Sequence, residues 1–289
     1  VLSLVDQLVT PHLGVLEAGD RARLERAIEL ARAAVQDHQK WLETSLKPRA
    51  QGEFRIGQEL YDAKLAFALM SPLSRKDIRA RAESEVTRVR GEMYEVARKV
   101  LAGRADAPAL PGQPTAAEQQ AAIAAALELA YAERPARDGV VDLARKTLDE
   151  ATSFVRARNF VTVPDEPLEI ILMPEFQRGV ALAYCDPPGP LDKGQRTFYA
   201  VSPIPGDWTD AQADSFLREY NNRSIANLGI HEAMPGHFLQ IAHSNRYPSV
   251  LRAMLFSGPF VEGWAVYTER VMQEQGFRAV GVMLVIAMH

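Results

Sequence analysis

The sequence predicts a mainly α-helical protein with a small antiparallel β-sheet ahead of a helix that carries two histidines. Three observations carry this. Apolar residues recur at three-and-four spacing through much of residues 1–160. Short apolar and β-branched runs, parted by proline and glycine clusters, are confined to residues 168–201. A helical stretch then places a histidine–glutamate pair six positions ahead of a second histidine.

The 289 residues suffice for one large domain or two smaller ones, and 47% hydrophobic with 24% charged residues is a globular balance. The net charge is -4, with a pI near 5.9 and no block of like charge, which argues against nucleic acid as a partner. No apolar run reaches the ~18 residues that a membrane span needs. Cys185 is the one cysteine, so neither an internal disulfide nor a thiolate metal cluster is available. The chain starts at Val1 inside an apolar pattern and stops at His289 behind the apolar run 282–288. It therefore reads as part of a longer protein whose C-terminal portion is missing, with its compartment, cytoplasmic or periplasmic, left open. The expected division is an N-terminal helical region, 1–160, and a region of small sheet plus metal-site helices, 161–289. Oligomeric state is not legible.

Taken in order, residues 20–45 carry Leu24, Ala27, Ile28, Ala31 and Val35 at helical spacing, and 56–71 repeat the pattern. Ser74 is placed to cap a helix reaching Leu101, with Asp77 where glutamate or glutamine would complete a capping box, an imperfect match. Pro108, Pro111 and Pro114 exclude a helix across 103–115. Helices over 115–133 and 138–158 follow, and then strands over 168–173, 179–184 and 197–201. Thr209 and Gln212 form a capping box for a helix to Tyr220, and Asn221 or Asn222 caps the next one.

That next helix carries His231-Glu232-Ala233-Met234-Pro235-Gly236-His237. Catalytic zinc commonly takes two histidines and a glutamate and keeps one position open. In H-E-x-x-H the histidines lie ~40° apart around a helix, whereas six positions put them ~120° and ~9 Å apart. His231 and His237 can share an ion only if the helix is interrupted. Pro235 supplies the interruption, since it lacks the N–H that would bond the His231 carbonyl. A bulge at Pro235-Gly236 is the expected result, with the two rings' nitrogens a few ångströms apart. The plain alternative is a helix that merely ends there. Downstream, Glu262 and Glu269 lie seven apart on one helix side, either facing a cation or exposed to solvent.

His231-Glu232-Ala233-Met234-Pro235-Gly236-His237-Phe238-Leu239-Gln240 together with Glu262-Gly263-Trp264-Ala265-Val266-Tyr267-Thr268-Glu269 resembles the bacterial family known as domain of unknown function 885, whose members carry H-E-x-x-P-G-H and E-G-W-A-x-Y-x-E. The likeness is strong over residues 155–275 and looser over 55–150. The family is regarded as zinc-metallopeptidase-like, distantly similar to helical gluzincins. The resemblance implies His231, His237 and Glu262 as ligands of one Zn2+ per chain, with Glu232 as general base. Phe238 stands where many members have a further histidine. Glu269 is then a partner that fixes a ligand histidine, or a surface ion pair. The strand 197–201 would pair with an extended peptide as sheet edges do, with Tyr199 a packed aromatic or a stabiliser of the oxyanion. His243 reads as a helix-surface residue and Trp264 as core. The expected function is zinc-dependent hydrolysis of a peptide or small amide. The alternatives are a catalytically inactive helical metal-binding or interaction module, and a zinc hydrolase of non-peptide amides or esters.

Overall fold

The computed structural model describes residues 2–159, 161–178, 181–192 and 194–278. Its helices are α1 (Leu2–Leu4), α2 (Ala18–Trp41), α3 (Gln58–Leu69), α4 (Arg75–Leu101), α5 (Ala116–Ala132), α6 (Val140–Arg158), α7 (Asp210–Glu219), α8 (Asn222–Glu232), α9 (His237–Asn245), α10 (Val250–Met254) and α11 (Gly258–Glu274). Strands β1 (Leu168–Leu172), β2 (Ala183–Asp186) and β3 (Thr197–Val201) stand between α6 and α7. The mainly helical prediction with one small sheet holds.

The chain divides into two compact units. The first comprises Val1–Tyr61 with Pro174–Arg178, and the second Asp62–Met173 with Gly179–His289. In the first, α2 follows the predicted span, but none of its residues is buried, and Leu30 is 73% exposed. Its apolar periodicity marks a helix without marking a core.

In the second unit, α4 begins at Ser74. The side chain of Ser74 accepts from the Asp77 N–H while Asp77 accepts from the Ser74 N–H, so the box closes with aspartate in place of glutamate. Met93, Tyr94, Val96, Ala97 and Leu101 of α4 pack on Ala122, Ile123 and Ala126 of α5. The proline-bearing loop between them is tied by the Tyr94 hydroxyl, which donates to the Pro111 carbonyl at 2.7 Å.

A larger core positions the site. It joins Ala144, Leu148, Ala151 and Val155 of α6, Tyr199 and Val201 of β3, Ile225 and Ile230 of α8, Phe238 and Leu239 of α9, and Met272 of α11. Tyr199, Ile225, Ile230, Leu239 and Met272 are essentially inaccessible to solvent. Full burial of such a side chain stabilises by ~1.5–3 kcal/mol, so the helices around the motif are among the best-anchored parts of the unit.

The sheet order is β1-β3-β2. β2 and β3 are antiparallel, as expected, with Cys185 opposite Tyr199. β1 and β3 are parallel, which corrects the expectation of a wholly antiparallel sheet. The stretch of chain between β1 and β3 includes β2 on the far side, and hydropathy carries no sign of strand direction. The predicted strand start at 179 and 180 lies outside the described residues, as does the apolar run 282–288.

Candidate metal centre

α8 begins where Asn221 accepts from the N–H groups of Arg223 and Ser224, and it ends at Glu232. A break over residues 233–236 follows, and His237 opens α9. This corrects the expected bulge, because the helix stops and restarts. In the break the Gly236 N–H donates to the Ile230 carbonyl at 2.9 Å and the Met234 N–H to the Gly229 carbonyl at 3.0 Å. The Met234–Pro235 peptide is cis. Gly236 is required by close approach: a Cβ there would stand 1.9 Å from the His231 carbonyl oxygen and 2.3 Å from that of Ile230. No side chain fits against backbone at that range, so glycine is needed for its missing Cβ. The Trp264 indole N–H, arriving from α11, donates to the Pro235 carbonyl at 3.0 Å and clamps the break.

The break brings the two imidazoles together, with ring centres 4.7 Å apart and planes nearly perpendicular. One nitrogen of each and one oxygen of Glu262 lie within 4.8 Å of one another. Nε2 of both His231 and His237 is 3.6 Å from Glu262 Oε2. Ligands at zinc bond lengths of ~2.0–2.1 Å in a tetrahedron sit ~3.3 Å apart, so these separations and this donor chemistry fit such an ion. The expected convergence of His231, His237 and Glu262 is met in space. The Glu262 side chain is 68% exposed, which leaves the cluster open on one side.

Behind the cluster, His231 Nδ1 donates to Glu269 Oε1 at 2.6 Å. The Asn227 amide donates to Glu269 Oε2 at 2.7 Å. Glu269 is only 3% exposed, so of its two sequence readings the surface ion pair does not describe it. Asn227 was missed, although it lies four positions before His231 and so shares its helix face. Glu232 Oε2 accepts from the Cys185 N–H of β2 at 3.1 Å. A backbone donor on another element leaves no mark in the sequence.

Burial raises the Glu232 carboxyl to about 7, despite the opposing pull of His231 and the Cys185 N–H. For His231, burial works against the charged ring, but Glu269's hydrogen bond and charge outweigh it and the pKa is raised. His237 is lowered, by burial first and His231 second.

The remaining expectations fare differently. Tyr199 is fully enclosed, and its hydroxyl has no hydrogen-bond partner among the described residues. Burial, then Glu232 and Cys185, push its phenol far above the usual range. The strand 197–201 is central, paired on both sides, so it has no free edge for a peptide. β1 and β2 are the edge strands, and β2 is the one that reaches Glu232. Phe238 is core. His243 contacts the Thr162 carbonyl at 2.8 Å and is no part of the cluster. Trp264 is partly buried against the core.

A solved structure from Shewanella oneidensis, described as a "putative lipoprotein of unknown function", is 32% identical with a TM-score of 0.70, over 99% of this chain and 50% of that one. Another, "the putative lipoprotein from Colwellia psychrerythraea", has the same TM-score at 19% identity, over 99% of this chain and 47% of that one, and shares the fold. The chain thus spans about half the length of these relatives. No curated protein matches it. Among the described residues no helix is long and apolar enough to cross a membrane. The family model for bacterial proteins of unknown function designated DUF885 matches residues 5–282, and the chain belongs to that family.

Proposed function

We propose that the chain is the metal-holding part of a zinc-dependent hydrolase, with a peptide as the favoured substrate. The convergence of His231, His237 and Glu262 beside the partly buried carboxyl of Glu232 carries this reading. Two neutral imidazoles and a carboxylate are the donor set zinc takes in hydrolytic sites. When bound, zinc supplies Lewis-acid polarisation of a carbonyl and eases the ionisation of water.

The chain's own residues do the rest. Glu232 Oε2 is held by the Cys185 N–H, which leaves Oε1 to accept a proton from water. The water oxygen attacks the scissile carbonyl carbon, the C–N bond breaks, and Glu232 returns the proton to the leaving amine. A carboxyl titrating near neutrality suits both halves of that exchange. Glu269 keeps His231 in place, and Trp264 with Gly236 keeps His237 in place. β2 offers the sheet edge beside Glu232 along which an extended peptide would pair.

Metal analysis after incubation with zinc tests the reading. About one zinc per chain is expected, lost on His231→Ala. Glu232→Gln should retain zinc and lose hydrolysis of a peptide library. Wild-type hydrolysis should rise with pH as Glu232 ionises, with its midpoint at or below about 7 because a bound cation favours the carboxylate. Unchanged hydrolysis in Glu232→Gln would remove the general base from the scheme.

A further inference from the structure

Asn227 is 3% exposed and sits one helical turn before His231 on α8. Its amide N–H donates to Glu269 Oε2 at 2.7 Å, and Glu269 Oε1 receives His231 Nδ1 at 2.6 Å. The carboxylate is therefore held at both oxygens by two side chains of one helix, while its own backbone belongs to α11. Asn227 Oδ1 is buried with no hydrogen-bond partner among the described residues. An unmet buried acceptor is destabilising. Leucine has the same branched shape and no unmet acceptor, but its methyl groups are bulkier and it gives the buried Glu269 carboxylate no donor. The amide cannot simply turn over, because the flipped form would face Oδ1 toward a carboxylate oxygen.

We infer that Asn227 is a positioning residue: it holds the Glu269 carboxylate in the orientation that keeps the hydrogen of His231 on Nδ1, so that Nε2 is the nitrogen presented to the metal. The inference rests on the zinc reading for its purpose, but its geometry is a property of the metal-free chain. A histidine ring has one hydrogen to place when neutral, and its partner decides which nitrogen carries it. Glu269 can choose Nδ1 only while its own carboxylate is fixed. With Asn227 removed, one oxygen loses its donor, the carboxylate is free to rotate, and the Nε2–H form of His231 becomes competitive. That form offers no lone pair toward Glu262 and His237. His237 serves as an internal control, since its Nδ1 is buried with no partner among the described residues and owes nothing to Asn227.

The experiment compares wild type, Asn227→Ala and Asn227→Leu by two readouts. Long-range 1H–15N NMR gives the tautomer of each histidine in the metal-free protein, and chelator competition gives zinc affinity. Both variants should shift His231 toward Nε2–H, leave His237 unchanged, and weaken zinc about tenfold, the lower end of what loss of a ligand's outer partner costs. A tautomer shift shared by the smaller alanine and the bulkier leucine separates positioning from packing, and leucine covers a failure of the alanine variant to fold. An unchanged His231 tautomer in Asn227→Leu overturns the inference, whatever zinc does. If wild type binds no zinc, the zinc reading falls alone, and the tautomer shift still decides the role of Asn227.

Discussion

His231 and His237 are the same residue type in one cluster, yet they are secured by opposite means. His231 lies in the last turn of a helix and is held through its side chain, with Nδ1 on Glu269 and Glu269 on Asn227. His237 begins a helix and is held through backbone, by a break that only glycine at 236 permits and that Trp264 clamps. One ligand depends on a chain of hydrogen bonds, the other on the course of the main chain. The proposed metal site, assembled this way, could be weakened from either side by different chemistry.

The largest effect should come from the backbone side. Gly236→Ala puts a Cβ 1.9 Å from the His231 carbonyl oxygen, where backbone has to move. We expect a loss of about 3 kcal/mol or more in urea unfolding, as for severe overpacking, together with loss of zinc binding. A stable Gly236→Ala protein with wild-type zinc affinity would show that the break is not what sets His237.

The side-chain arm should be weaker and more selective. Glu269→Ala removes the partner of His231 Nδ1 and should lower zinc affinity about 10–100-fold in chelator competition while His237 keeps its tautomer. Equal disturbance of both rings would dissolve the distinction between the two arms.

The smallest effect is one of sign. His231 is raised, so its contribution to stability is present below the ordinary histidine value of 6.5 and is lost as pH rises through its folded value. His237 is lowered, so the fold is penalised as pH falls below 6.5, and that penalty is relieved as pH rises. In the metal-free protein, His231→Gln should therefore cost more stability at pH about 5.5 than at 8, and His237→Gln less, as read from urea midpoints at the two pH values. Parallel trends would mean that the two rings share one environment.

The sequence carried the helices and the convergence of the cluster well, because both rest on local rules. Period, caps and proline act within a turn or two, and Pro235 announced that six-residue spacing need not be fatal. The form of the interruption was less legible: proline breaks a helix, but only the packing of Gly236 on two carbonyls decides between a bulge and a restart. The direction of β1 and the central place of β3 depend on how the chain crosses the sheet, which alternation does not encode. The Cys185 N–H that holds Glu232 belongs to a peptide group, so no choice of side chain signals it. Asn227 could have been found by counting back one turn from His231.

The distances along the chain have a consequence of their own. Asn227 and Glu269 are 42 positions apart, and every residue that would hold or orient the metal lies between them or is one of them. The donor set is thus a local product of α8, α9 and α11, closed by a loop whose entropy grows only slowly with length. Glu232 differs, since its backbone anchor is 47 positions upstream in the sheet. In the proposed enzyme, metal affinity and base strength would therefore be set by separate segments. Recombination within the family could exchange the sheet, and with it the setting of Glu232, while leaving the ligands intact.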